Sequence, residues 1–185
     1  MKGNMKAYIK SPFLETKRAS LDIGKVDAEG VFEGYASLFG ALDLGGDIVM
    51  PGAFGDGLRK LGANGVKMLW QHDPAQLLGV WTNIAEDSRG LKVRGKLNLN
   101  IARARETLAL MRDGAIDGLS IGYRTQRAVK DERSGVRRLY ALDLIEISIV
   151  TFPMLPQARV EFVKQDAPTR WRKAAAALQA QLMQS

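Results

Sequence analysis

Alternating apolar and polar residues predict β-strands along most of the chain between residues 31 and 152. The clearest example is Gly90–Leu97, in which apolar residues fall on one face and Lys or Arg on the other. Three further segments are short and either apolar or rich in aromatic and β-branched residues, and we expect each to form a strand: 31–39, 66–70 and 77–81.

The period changes to that of a helix in the segment that follows Asn100. Apolar residues recur at helical spacing from Ile101 to Met111, with Asn100 as the expected N-cap and Gly114 as the expected stop. A second, short helix is predicted to end near Leu61. A third is predicted over residues 167–184, which are rich in Ala, Leu and Gln.

Residues 119–129 and 136–143 are predicted to be strands joined by the polar turn at 131–135, which is typical of a hairpin. An almost continuous apolar run then covers residues 144–152. About seven short strands with a few helices predict an α+β fold that is mainly β. We expect an antiparallel sheet closed into a barrel, with the helices packed outside.

Composition is consistent with one domain, because the 185 residues are 46% hydrophobic. No apolar run reaches the roughly 18 residues needed to cross a membrane, and the charged N-terminus does not resemble a secretory signal. The chain contains no cysteine, which excludes disulfides, thiolate metal sites and a cysteine nucleophile.

The net charge of +7 is concentrated at the two ends of the chain. Residues 1–20 carry five Lys or Arg against one Glu, residues 164–185 carry four against one Asp, and residues 21–163 carry 18 of each sign. We therefore divide the chain into a basic N-terminal segment (1–20), a neutral domain (21–163) and a basic helical tail (164–185). A neutral domain predicts no dedicated nucleic-acid site.

His72 is the only histidine, so any imidazole catalysis has to use it. The alternative is a histidine that only forms hydrogen bonds at a strand end. A catalytic zinc ion needs about three protein ligands, so a single histidine argues against a zinc enzyme, and we expect neither a metal nor a cofactor.

Ser120 lies in the sequence Gly118-Leu119-Ser120-Ile121-Gly122, which matches the G-x-S-x-G nucleophile elbow of α/β-hydrolases. That elbow follows a strand and precedes a helix, whereas here a helix precedes the serine and a strand follows. In those hydrolases the histidine also comes after the serine, but His72 comes before it. The elbow interpretation therefore fails, and a chance match in a glycine-rich strand remains open.

Glu146 is a carboxylate inside an apolar run, and an unpaired buried carboxylate is costly. One interpretation is that residues 144, 146 and 148 share a solvent-facing side of the strand. The other is that Glu146 orients an imidazole. Asp73, Asp117 and Asp143 are rival acids that spacing alone does not exclude.

Several motifs, in order, carry a resemblance to a known family: residues 32–36, Asp47 with 51–54, 70–72, 114–116 with 118–123, and 146–153. Together, from about residue 31 to 160, they resemble the prohead maturation serine proteases of tailed bacteriophages. These enzymes are thought to share the fold of the herpesvirus assemblins, a β-barrel wrapped by helices. The chain order histidine, serine, third member matches His72, Ser120 and Glu146.

The resemblance implies that Ser120 is the nucleophile, His72 the general base and Glu146 the group that orients His72. The assemblins use a second histidine as the third member, so a glutamate here departs from that branch. They supply the oxyanion hole from a Gly-Arg-Arg turn, which is absent here. The corresponding stretch here is residues 153–156, and the resemblance implies that the backbone N–H groups of Met154 and Leu155 are the oxyanion donors.

The resemblance also implies the biological role. The substrates would be the scaffold and the N-terminal segment of the major capsid protein, cut inside the procapsid in the host cytoplasm, followed by self-processing. The tail at 164–185 would serve packaging or self-cleavage, and a homodimer is expected. Two alternatives from other classes are a catalytically silent assembly protein on the same fold and a basic nucleic-acid-binding module.

Overall fold

The structure, a computed structural model, describes residues 29–161. The predicted basic segment at 1–20 and the predicted helix at 167–184 lie outside the described residues. The described part contains eight strands and two helices: β1 (Val31–Leu38), β2 (Asp47–Val49), α1 (Gly55–Leu61), β3 (Lys67–Trp70), β4 (Asp73–Glu86), β5 (Gly90–Leu97), α2 (Ala102–Arg112), β6 (Gly118–Lys130), β7 (Arg137–Val150) and β8 (Val160–Glu161).

The strands form one mixed sheet in which most neighbours are antiparallel. The order β3-β4-β5-β1-β8 is antiparallel throughout, and β6 pairs antiparallel with β7 along nearly its full length. The other edge of β7 is shared by two short strands, β2 and β3, which both run parallel to it. The prediction of an antiparallel sheet did not include these two parallel pairings.

The sheet curls until its two ends are joined by a short stretch of chain at residues 158–160. The N–H of Tyr35 on β1 donates to the carbonyl of Arg159 at 2.9 Å, while on β6 the N–H of Leu119 donates to the carbonyl of Ala158 at 3.0 Å. The N–H of Val160 donates to the carbonyl of Asp117 at 2.8 Å. The prediction of a mainly β fold with few helices is confirmed.

The core lies inside the curled sheet, where the largest buried side chain is Trp81. Its ring meets that of Phe32 edge to face, with 5.6 Å between the ring centroids. Helix α2 presents its buried residues Ala104, Leu108 and Met111 to the same cluster.

Three boundaries differ from the sequence-based expectation. Residues 136–152 were expected as two segments, but most of them form the single strand β7. Strand β4 is longer than expected because it starts at Asp73, directly after a tight turn. The expected N-cap Asn100 is wrong: Ile101 caps α2, with no side-chain cap bond.

No helix within residues 29–161 has the length and apolar character needed to cross a membrane.

Candidate active site

His72 lies in a two-residue turn between β3 and β4. Trp70 pairs with Asp73, so Gln71 and His72 form the whole loop. Their φ angles are 51° and 63°, and two positive φ angles are what a type I′ hairpin turn requires. Residues other than glycine rarely adopt this conformation, at a cost of about 1–3 kcal/mol each, so the surrounding structure has to hold the turn in place.

Hydrogen bonds to β7 and the residue after it hold this turn. The N–H of Gln71 donates to the carbonyl of Ile149 at 3.1 Å, and its side-chain amide donates to Thr151 Oγ1 at 2.8 Å. The N–H of His72 donates to Ser148 Oγ at 3.0 Å. The imidazole is therefore positioned by its backbone as well as by its ring contacts.

The His72 ring contacts Glu146 directly. His72 Nδ1 lies 2.7 Å from Glu146 Oε1, and the hydroxyl of Ser148 donates to the other carboxylate oxygen, Oε2, at 2.7 Å. The bond to Glu146 raises the pKa of His72 above its usual range, and partial burial of the ring opposes the shift. The solvent-facing interpretation of Glu146 is wrong, because the residue is only 8% exposed.

Ser120 lies on β6 directly opposite Ser148 on β7. Paired residues of an antiparallel ladder point to the same face of the sheet, about 4.5–5.5 Å apart between Cα atoms. Ser120 is therefore next to the residue that binds both His72 and Glu146. Ser120 is 3% exposed, and its Oγ has no hydrogen-bond partner among residues 29–161.

Gly122 makes room for the carboxylate of Glu146, which it faces across the β6–β7 pair. A Cβ atom at residue 122 would lie 2.3 Å from Glu146 Oε1, a distance that no real side chain tolerates. The second glycine of the Gly118-x-Ser120-x-Gly122 motif is therefore explained by packing, because the Glu146 carboxylate occupies the place where a side chain at residue 122 would begin. The motif is not a nucleophile elbow here.

Ser120 also lines a cleft of about 100 Å³, shared with Met154 and Leu155. The N–H of Leu44 donates to the carbonyl of Met154 at 2.9 Å, which ties the segment after β7 to the loop between β1 and β2. Within the part of the chain that the structure describes, the N–H groups of Met154 and Leu155 have no acceptor. They are available as hydrogen-bond donors beside Ser120.

The three rival acids have other partners, and within the described range Glu146 is the one acid that is hydrogen-bonded to the His72 ring. The partners are the N–H of Ala75 for Asp73, Arg159 for Asp117 and the side-chain amide of Gln126 for Asp143. No group of three or more His, Asp or Glu residues between residues 29 and 161 is arranged to hold a metal ion.

Sequence reasoning did not single out two residues of this site. Ser148 links His72 to Glu146, and the signal for it was its position two residues after Glu146 in an apolar run. Gln71 holds the turn through Thr151, and no local sequence signal marks that role.

A serine on a strand beside a histidine–glutamate pair favours a serine hydrolase as the class of protein. Sequence comparison identifies the family: residues 17–170 match the profile of the caudovirus prohead serine proteases, and the chain belongs to that family. It is 36% identical over 143 residues to the prohead protease of Enterobacteria phage HK97, covering 74% of this chain and 61% of that protein.

The chain is also similar to a second phage protease and to a solved structure. The prohead protease of Escherichia phage T5 is 25% identical over 180 residues, which cover 95% of this chain and 80% of the T5 protein. The solved structure of the KSHV protease superposes with a TM-score of 0.47 at 10% identity, covering 73% of this chain and 65% of that one.

Proposed function

We propose that this chain is a serine endopeptidase of capsid maturation, in which Ser120 is the nucleophile, His72 the general base and Glu146 the residue that orients His72. The observation that carries the proposal is the 2.7 Å contact between His72 Nδ1 and Glu146 Oε1, made beside the strand pair that holds Ser120. Membership of the prohead serine protease family supports the same roles.

In this mechanism the Ser120 hydroxyl transfers its proton to His72 Nε2 while Oγ bonds to the carbonyl carbon of the scissile peptide. The imidazolium then donates this proton to the leaving amine as the C–N bond breaks, and water hydrolyses the resulting ester by the reverse sequence. Glu146 keeps a proton on Nδ1 and stabilises the imidazolium. Catalytic hydrogen bonds often form only when substrate is bound, and we expect this of Ser120 Oγ and His72.

We assign the oxyanion hole to the backbone N–H groups of Met154 and Leu155. Both residues line the cleft that contains Ser120, and neither N–H has an acceptor among the described residues. An oxyanion hole needs donors rather than a particular side chain, so the absence of arginine in this segment does not weaken the assignment.

The experiment is labelling with a fluorophosphonate probe at several protein concentrations, followed by peptide mass mapping. The variants are wild type, Ser120→Ala and Ser134→Ala, the last being an exposed serine in the β6–β7 turn and hence a matched control. We expect labelling at Ser120 that is lost only in Ser120→Ala. A folded wild-type protein that is never labelled would instead be a catalytically silent assembly protein.

The proposed substrates are the scaffold and the N-terminal segment of the major capsid protein, cut inside the procapsid in the host cytoplasm. The support is the family itself, together with the HK97 and T5 prohead proteases to which the chain is similar. Co-expression with the capsid protein and scaffold of the same phage should give shortened products in wild type and none in Ser120→Ala. Uncut capsid protein with an active, labelled protease would contradict this substrate assignment.

Self-processing and a homodimer are proposed as well, together with a domain at 21–163 between basic segments at 1–20 and 164–185. Intact-mass measurement should detect loss of terminal residues in wild type but not in Ser120→Ala.

Deleting residues 164–185 should reduce incorporation into procapsids. Sedimentation should show dimers at high protein concentration, and monomer throughout would contradict the homodimer.

A further inference from the structure

The cleft beside Ser120 is bounded by three parts of the chain: β6, the stretch from β1 through β2, and the segment after β7. Much of its lining is aliphatic, including the buried residues Ala36, Val49, Leu119 and Leu155. Its volume is about 100 Å³, several times the roughly 10–15 Å³ that a cavity needs on this measure to hold one water molecule. The space therefore suits one extended side chain.

Two carboxylates line this cleft, whereas no Lys, Arg or His of the described residues does. The charge of one of them, Asp47, is already compensated. Arg137 donates from Nε to Asp47 Oδ1 at 2.7 Å and from Nη2 to Oδ2 at 2.5 Å, and the Tyr123 hydroxyl donates to Oδ2 at 2.9 Å. These bonds, led by those from Arg137, hold the pKa of Asp47 below its usual range.

The other carboxylate, Asp43, forms no direct hydrogen bond or salt bridge with a Lys or Arg within residues 29–161, although the charge of Arg137 acts on it from its place beside Asp47. Its Oδ1 accepts the N–H groups of Gly45 and Asp47, each at 2.8 Å. Its Oδ2 has no hydrogen-bond partner in the same range, and no salt bridge there includes it. Partial burial is the main reason that the pKa of Asp43 is raised, and the charge of Asp47 adds to the rise, whereas the N–H groups of Asp47 and Gly45 and the charge of Arg137 oppose it.

We infer that Asp43 is a specificity-determining residue that selects a lysine or arginine side chain on the acyl side of the scissile bond. The inference rests on the proposed function, since Ser120 and the proposed donors at Met154 and Leu155 hold the reacting carbonyl at this cleft. The side chain of the residue bearing that carbonyl is the one that enters. Its aliphatic stem contacts the apolar lining, and its charged end reaches Asp43 Oδ2.

The test uses three peptidyl phosphonate probes that differ only in the side chain next to phosphorus: aminobutyl, butyl or carboxyethyl. The first mimics lysine, the second has a neutral chain of the same stem, and the third mimics glutamate. The variants are wild type, Asp43→Asn and the control Asp113→Asn, an exposed residue at the end of α2. The amide introduced by Asp43→Asn still offers an oxygen to the N–H groups of Gly45 and Asp47.

In wild type and Asp113→Asn we expect the aminobutyl probe to label Ser120 faster than the butyl probe by about tenfold or more, because a charged hydrogen bond contributes on that scale. The carboxyethyl probe should be the slowest of the three. In Asp43→Asn the ratio of the aminobutyl rate to the butyl rate should fall to about onefold to threefold. Equal rates for aminobutyl and butyl in wild type, or a preference that survives in Asp43→Asn, would overturn the inference.

A generic fluorophosphonate separates this result from failure of the proposed function. If it labels Ser120 but the aminobutyl and butyl probes do not differ, Ser120 is an activated nucleophile and the role of Asp43 is wrong. If it labels no residue in the folded wild-type protein, the proposed nucleophile is wrong and the specificity assignment falls with it.

Discussion

Gly122→Ala should disable the site without replacing any of the three proposed catalytic residues. An added Cβ would lie 2.3 Å from Glu146 Oε1, and such contacts are almost never shorter than 3.0 Å. The carboxylate therefore has to withdraw by about 0.7 Å. The same Oε1 is 2.7 Å from His72 Nδ1, so a withdrawal of that size directly away from His72 would lengthen the bond to about 3.4 Å. This exceeds the roughly 3.2 Å limit for a good N–H···O hydrogen bond.

Displacing a positioned group by about 1 Å costs on the order of 100-fold in rate, and we expect a decrease of about that size in fluorophosphonate labelling of Ser120. The pH profile should move too. The bond to Glu146 is the main cause of the raised His72 pKa, and a general base is active when neutral. Losing that bond lowers the pKa, so the rise in labelling rate with pH should begin at lower pH.

The assay is the second-order labelling rate across about pH 5 to 9, where histidine titrates, together with thermal denaturation. Gly55→Ala is the matched control, because a Cβ there meets only the guanidinium of Arg59 at 3.4 Å and Glu86 Oε2 at 4.0 Å. A folded Gly122→Ala protein that labels within about threefold of wild type, with an unmoved pH profile, would refute the reasoning.

Three further predictions concern the supports of the site and the core. Ser148→Ala removes the acceptor of the His72 N–H and the donor to Glu146, so we expect the free energy of unfolding, measured by urea denaturation, to fall by about 1–3 kcal/mol. An unchanged urea midpoint would contradict this expectation. Asp47→Asn should destabilise at neutral pH. The pKa of Asp47 is lowered in the folded protein, so its contribution to stability is present above the usual aspartate pKa and is lost as pH falls through the folded pKa. Wild type and Asp47→Asn should therefore have similar stabilities in acid. A difference in stability that stays constant with pH would contradict the pairing of Asp47 with Arg137. Trp81→Ala, which empties the centre of the core, should cost about 3–5 kcal/mol, measured by the same denaturation, and a loss below about 1 kcal/mol would show that the cavity collapses.

Local patterns in the sequence predicted the elements that are decided by local chemistry. Gly90–Leu97 alternates cleanly and forms β5 over the same residues. The helix predicted after Asn100 ends where expected, since Gly114 adopts a φ of 68° directly after the C-cap Asp113. Which strands pair with each other was harder to predict from the sequence. Nothing in the short apolar run of β3 indicates that it lies parallel to β7, because that arrangement depends on β4, β5, α2 and β6 folding between them.

The site shows the same division between local and non-local information. The sequence supplied the three chemical groups, His72, Ser120 and Glu146, and left open whether Glu146 faces solvent. Burial and the contact with His72 depend on the parallel register of β3 and β7, which periodicity does not encode. The positive φ angles at Gln71 and His72 were also beyond sequence reasoning, because these residues are held in that turn by bonds to the end of β7.

Residues 153–160 are among the last described residues to leave the ribosome, and two parts of the molecule depend on them. They join β6 to β1, and they include Met154 and Leu155 beside Ser120. A nascent chain that stops before this stretch holds the histidine, serine and glutamate, yet lacks one wall of the cleft and the junction of the sheet. Under the proposed mechanism, proteolysis therefore begins only once nearly all of the described domain has been translated.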